Sequence, residues 1–223
     1  MEIKESLFSG RVKKTVLMSV PRSGHHFIAQ NLSKILGSLY CEGYWCRDAY
    51  FNPIRSCPKE KLRVHRGSCG KDLPIVKNHD LELRDSIDDF EAVLVLRRAD
   101  AYSSIISMYE YGLRNKDFWW DSRRTFNSFL EKKIPYLLGF NAKYGSRVED
   151  SRFLRIYYED LFQSNSGIEL FKQILDFLGL PEEAAKLRTD SLITLKSPRD
   201  PSAFRHFSKE DMNYINDLMA RTK

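Results

Sequence analysis

The segment between Lys14 and Leu36 constrains this chain more than any other. The apolar run TVLMSV ends at Pro21 and Gly24 and is followed by Phe27, Ile28, Leu32, Ile35 and Leu36 at helical spacing. That pattern is a strand, a tight loop and a helix in immediate succession. Leu73–Lys77, Ala92–Leu96 and Phe153–Tyr157 are further short strand-like runs, and helical patterns begin near Asp100, Thr125 and Ile168. Strands alternating with helices predict an α/β three-layer sandwich, a central and mostly parallel sheet covered on both faces. Ser208-Lys-Glu-Asp211 resembles a capping box and opens an amphipathic run with Met212, Ile215, Leu218 and Met219, which predicts a final docked helix.

With 223 residues, 42% of them hydrophobic and 30% charged, residues 1–223 are expected to form one domain. The stretch from Tyr40 to Cys69 is rich in Gly, Pro, Arg, Cys and aromatics without a stable period. It reads as a variable loop region over 40–72 bearing on specificity, with room for a short strand at Leu39–Cys41. No run approaches the ~20 apolar residues of a membrane span, and Met1–Gly10 lacks a signal-peptide pattern, so a cytoplasmic protein without a membrane partner is expected. Cys41, Cys46, Cys57 and Cys69 match no zinc spacing and read as free thiols, with a disulfide left open. The net charge of +6 favours an anionic partner. Arg123–Arg124 and Lys132–Lys133 are isolated pairs, as on a solvated helix face, rather than a nucleic-acid arm. A phosphorylated small molecule remains. Nothing in the sequence selects an oligomeric state.

Ser19-Val-Pro-Arg-Ser-Gly-His-His-Phe27 sits where the first strand hands over to a helix. The N–H groups of a first helical turn and the helix dipole both face an anion placed there. Gly24 permits close backbone approach, Arg22 brings a permanent charge, and Ser23, His25 and His26 add side-chain donors. A plain strand-to-helix turn fits the same residues. A Walker A loop does not, because there is one glycine and no Ser or Thr following it to hold magnesium. His25 and His26 point about 100° apart on a helix, a poor pair for a metal.

The segment resembles the 5′-phosphosulfate-binding loop of the sulfotransferases that use 3′-phosphoadenosine 5′-phosphosulfate (PAPS). Pro21-Arg22-Ser23-Gly24 and Phe27 match, while His25 and His26 replace the usual hydroxyl pair. Three further blocks follow in the family's order. In Ile75-Val-Lys-Asn-His79, strand alternation puts Lys77 and His79 on one face, and the resemblance implies that His79 is the general base. Asp80 or another nearby carboxylate is the alternative base.

Arg97, closing the run from Ala92, matches the family's 3′-phosphate arginine. The usual serine spacing lands on Ile105, so either Ser104 takes that role after a one-residue slip, with Ser103 and Ser107 as alternatives, or the site is built differently. Arg152 to Leu161, with Tyr157-Tyr158-Glu159-Asp160, resembles the strand block in which Tyr158 would lie against adenine. Lys196-Ser-Pro-Arg199 and Arg205-His-Phe-Ser stand where the family has a basic loop, implying Arg199 first and Arg205 second.

The resemblance therefore implies a P-loop-NTPase-like sulfotransferase fold and metal-free transfer of a sulfuryl group from PAPS to a hydroxyl or amine of a small acceptor, releasing PAP. Arg22 and Lys77 would stabilise charge beside the base His79. A nucleotide-dependent small-molecule kinase and an inactive PAPS-binding module are the rival expectations. Tyr44, Trp45, Tyr50, Phe51, Trp119 and Trp120 are candidate walls for a ring-bearing acceptor, or ordinary core aromatics.

Overall fold

The computed structural model describes residues 12–36, 40–44, 75–115, 120–147, 149–162, 166–188, 192 and 200–222. Strands β1 (Thr15–Ser19), β2 (Tyr40–Tyr44), β3 (Ile75–Asn78), β4 (Ala92–Arg97) and β5 (Phe153–Tyr157) form one sheet in the order β2-β3-β1-β4-β5. Every neighbouring pair is parallel. The helices are α1 (His25–Leu36), α2 (Ala101–Arg114), α3 (Arg123–Phe140), α4 (Ser166–Phe177), α5 (Pro181–Lys186) and α6 (Lys209–Arg221).

β1 is flanked by β3 and β4 and buried along its length, which is why TVLMS shows no polar alternation. Val16, Met18, Val93 and Val95 pack on one face with Tyr109, Phe126, Leu130, Ile134 and Ile215 from α2, α3 and α6. Leu17, Leu94 and Leu96 pack on the other with Ile28, Leu32, Phe171 and Ile174 from α1 and α4. The two cores on opposite faces make the three layers.

The helix starts follow from their caps. Asp100 accepts the N–H groups of Tyr102 and Ser103, Ser122 accepts that of Thr125, and Ser208 and Asp211 cap each other's backbone at α6. α3 therefore begins at Arg123, two residues before the expected Thr125. The region 40–72 also differs from its reading as a loop, since it opens with β2, longer than the expected Leu39–Cys41. A register shift between Cys41 and Tyr44, spanning Gly43, breaks the alternation that marks a strand in sequence. Residues 45–74, with Trp45, Tyr50, Phe51 and three of the cysteines, lie outside the described residues, as do Trp119 and Arg199. Among the described residues no helix is long and apolar enough to cross a membrane.

The chain leaves β1 through α1 toward β2 and leaves the adjacent β4 through α2 and α3 toward β5. Connections that part in opposite directions open a crevice at the carboxyl ends of those strands. One edge of the crevice is pinned by Asp80, buried just beyond β3 with φ at 41°. Its Oδ1 accepts the backbone N–H groups of Arg84 at 2.8 Å and Asp85 at 3.0 Å. Its Oδ2 accepts Lys143 Nζ at 2.7 Å and the Tyr144 hydroxyl. Burial opposes ionisation of this carboxyl, but Lys143 and Tyr144 hold it below the ordinary carboxylate range.

Asp80→Ala is expected to destabilise the protein by about 3 kcal/mol, the cost of leaving a buried partner charge uncompensated. Because the folded carboxyl titrates below its ordinary value, the contribution is present above about pH 4 and is lost as pH falls through the folded value. Urea unfolding of the parent and the variant, across pH, measures both effects.

Candidate active site

A cavity of about 1040 Å³ occupies the crevice. The turn after β1, the start of α1, His79 after β3, Arg98 after β4 and Tyr158 after β5 form one part of its wall, and α2 and α3 form the rest.

The loop after β1 is held in an uncommon shape. Arg22 has φ 68° and Gly24 φ 79°, both left-handed. Gly24 is required twice over, since a Cβ there would also overlap the Tyr158 ring. The Arg22 carbonyl accepts Arg98 Nε at 3.2 Å, and the Arg22 guanidinium lies over the Tyr111 ring at 4.7 Å. Arg98 in turn stacks on Tyr158 at 4.3 Å. Burial, and then the charge of Arg114, lower the proton affinity of Arg22. Among the described residues, Arg22 Nε and Ser23 Oγ are buried without a hydrogen-bond partner, donors facing no acceptor.

Two imidazoles stand behind this loop. His79 Nδ1 lies 2.6 Å from the Ser19 carbonyl, which can only accept, so Nδ1 carries the proton and the lone pair is on Nε2. Ser19 Oγ is 2.9 Å from His79 Nδ1 and 2.9 Å from His25 Nδ1. With the His79 proton on Nδ1, the Ser19 hydroxyl hydrogen is available to the His25 Nδ1. The two rings lie 5.4 Å apart between centroids. Burial first, then the Lys77 charge, push His25 far below the ordinary histidine range. Burial likewise pulls His79 down to about 4, against the bond to Ser19 and with help from Lys77 and His26.

Other residues singled out in sequence are distributed as follows. Lys77 is buried on β3 and acts on both imidazoles through its charge, while the cavity surface is formed by His25, His26 and His79. Phe27 lines the cavity edge and packs edge-on against Phe171. Tyr158 and Trp120 both line the cavity. Asp80 is occupied by its four donors and turned into the pin described above.

Arg97 continues the Val93–Val95 face and is directed elsewhere, donating to Asn141 at 3.0 Å and to the Tyr157 hydroxyl at 3.1 Å. The arginine that this strand end brings to the cavity is Arg98. Ser103, Ser104 and Ser107 are buried in α2, away from the cavity lining, with the Ser103 hydroxyl on Asp100. Arg205 bonds Asp121 at 3.3 Å and is likewise not part of the lining.

Arg98 and Ser19 were the residues that reading the sequence passed over. Strand alternation was the available signal for Arg98, because Arg97 must follow Val93 and Val95. For Ser19 there was none, since its partners are His25 and His79, six and sixty positions away.

No family model and no curated protein matches this sequence. Among solved structures, the crystal structure of mouse sulfotransferase SULT7A1 complexed with PAP matches with a TM-score of 0.60. The match covers 96% of this chain and 86% of that one, at 17% sequence identity. The fold is therefore the α/β sulfotransferase fold, with a parallel sheet flanked by helices.

Gly24→Ala is expected to destabilise the folded protein by roughly 1–2 kcal/mol through its left-handed backbone, with a further loss from the Tyr158 overlap. Tyr158→Ala made together with Gly24→Ala should recover the overlap part alone. Thermal unfolding of the single and double variants separates the two.

Proposed function

We propose that this chain transfers a sulfuryl group from PAPS to the hydroxyl or amine of a small-molecule acceptor and releases PAP. The observation that carries the reading is the fixed tautomer of His79, a neutral imidazole with its lone pair on Nε2, in the wall of the same cavity as the phosphate-type loop. The loop fits the anionic end of the nucleotide: Arg22 Nε and Ser23 Oγ are buried donors lacking acceptors, Gly24 keeps the backbone bare, and α1 points its N-terminus at the same place. Arg98 adds a second guanidinium, and the exposed edge of the Arg98–Tyr158 stack offers a surface for a base ring.

In this reading His79 Nε2 takes the proton of the acceptor as the acceptor's oxygen or nitrogen bonds to sulfur. The bond from sulfur to the bridging oxygen breaks at the same time, and its electron pair stays on the phosphate that departs in PAP. Arg22, Arg98 and the first turn of α1 hold that charge, while burial, helped by the Lys77 charge, keeps His79 unprotonated beforehand. Positioning and charge stabilisation are the protein's main contributions, by analogy with phosphoryl transfer.

Calorimetric titration with PAP, against ATP and magnesium as comparison, is the first test. PAP is expected to bind at least tenfold more tightly than ATP, and Arg98→Ala to weaken it by about tenfold or more, the value of a lost charge-assisted bond. Absence of PAP binding, or a preference for ATP, would falsify the reading and favour the kinase. His79→Ala should remove turnover by roughly 10²–10⁴-fold while PAP still binds; unchanged turnover would exclude His79 as the base.

The pH dependence has a defined sign. A base pulled down to about 4 is already neutral well below pH 6.5, so the acid limb of kcat/KM should fall below that ordinary histidine value. An acid limb at 6.5 or higher, with the fold intact by circular dichroism, would contradict the assignment.

A further inference from the structure

The cavity is larger than the phosphate loop and His79 require, and its other half has a chemistry of its own. Among the described residues five Arg and Lys side chains line the cavity, and no Asp or Glu does. Arg22 and Arg98 belong to the loop. The other three, Arg124, Lys132 and Lys133, belong to α3. Positions 124, 128 and 132 are one helical stripe and 125, 129 and 133 the adjoining one, and all six residues line the cavity. Among the described residues none of these three cations lies within 4 Å of a carboxylate, whereas Arg123, on another face of the same helix, is paired with Asp211.

The stripe also has a fixed relation to the base. Tyr136, one turn beyond Lys132 on α3, donates its hydroxyl to the His79 carbonyl at 2.8 Å. The cationic stripe therefore starts beside His79 and runs away from it for about 12 Å, eight residues of helix. Arg98 and Tyr158 lie at the ends of β4 and β5, across β1 from the β3 end that carries His79. The base is thus between the two halves, and an acceptor approaching it from the side opposite the nucleotide meets α3. Phe129 from α3, Met108 from α2 and the 71% exposed Trp120 supply apolar and aromatic surface among the cations.

From this arrangement we infer that the acceptor is a small ring-bearing alcohol or phenol that carries an acid group of its own. Its hydroxyl faces His79 and its carboxylate or ester anion is held by Arg124, Lys132 and Lys133. The inference rests on the sulfuryl-transfer reading and sharpens it to a substrate class. A neutral acceptor would leave three like charges gathered around it with no counter-charge, whereas an anion supplies that charge and is drawn in by the field of the cavity. The ring lies against Phe129 and Trp120, which fixes the distance between its two polar ends.

The test uses three para-substituted phenols of similar size: para-hydroxyphenylpropionate, para-propylphenol and para-hydroxyphenethylamine. Each is titrated into the PAP-saturated protein and assayed with PAPS. The acid is expected to bind at least about tenfold more tightly than the neutral phenol, and the amine most weakly. The gap should shrink as salt is raised, because these side chains are open to solvent.

In the doubly substituted Lys132→Glu, Lys133→Glu protein the order of acid and amine should reverse, with PAP affinity lowered by far less than that of the acid. Equal binding of the acid and the neutral phenol, or an order unaltered by the double substitution, overturns the inference and leaves sulfuryl transfer standing. Failure of the parent protein to bind PAP removes sulfuryl transfer itself, and the acceptor assignment with it, even where the acid binds.

Discussion

The bond from His79 Nδ1 to the Ser19 carbonyl is the contact on which the rest of the site depends. It joins the ends of β3 and β1 where both leave the sheet, and it does so through the ring itself. The tautomer and orientation of the imidazole are consequently properties of the sheet register rather than of a mobile side chain. Shifting β3 by one residue against β1 would exchange Lys77 and His79 for Asn78 on that face and remove the proposed base from the site. Ser19 adds a second restraint, because its hydroxyl must satisfy His25 while the carbonyl of the same residue satisfies His79. The conformation of one backbone residue therefore governs two rings.

Gathering so many cations around these rings requires compensation elsewhere. Carboxylates near the site are withdrawn from it: Asp80 is held by Lys143, Tyr144 and two backbone groups, and Asp121 accepts from Tyr109 and His206. Each of these acids stabilises the frame and is screened from the cavity. Among the described residues the cavity lining therefore carries cations and no carboxylate, which suits the developing negative charge of the proposed transfer. The same withdrawal bears on the proposed choice of base. An Asp80 with both oxygens occupied and its proton affinity lowered is a weaker candidate than a neutral imidazole.

Much of this was legible in the chain. The β1 run, the turn marked by Pro21 and Gly24, the strand at Phe153–Tyr157 and the capping box at Ser208 all carry local signals, because caps, turns and buried strands are decided by neighbours a few residues apart. What was not legible depends on distant partners. Arg97 and Arg98 are adjacent and identical in type, and only their faces on β4 separate a bond to Asn141 from a place in the cavity. Gly24 reads as a turn glycine, but its second reason, the Tyr158 ring, is contributed by a residue far along the chain. Lys132 and Lys133 read as a solvated helix face, and as far as exposure goes they are one. Their meaning comes from what lies across the crevice.

The two halves of the cavity also differ in stiffness. Arg22 occupies a left-handed conformation that costs a non-glycine residue about 1–2 kcal/mol, and it is kept there by Arg98 on its carbonyl and Tyr111 beneath its guanidinium. Stacking of Arg98 on Tyr158, and of Tyr158 over Gly24, closes a chain of contacts in which no member can move alone. Such a half is organised before any ligand arrives and suits a partner that never varies. The α3 half is built from long side chains on one exposed helical face, whose ammonium and guanidinium groups can shift by several ångströms without disturbing the fold. Substitutions on that face alter neither the sheet register nor the His79 tautomer. In the proposed reading, selectivity for the acceptor can therefore change along α3 while the chemistry proposed at His79 stays the same.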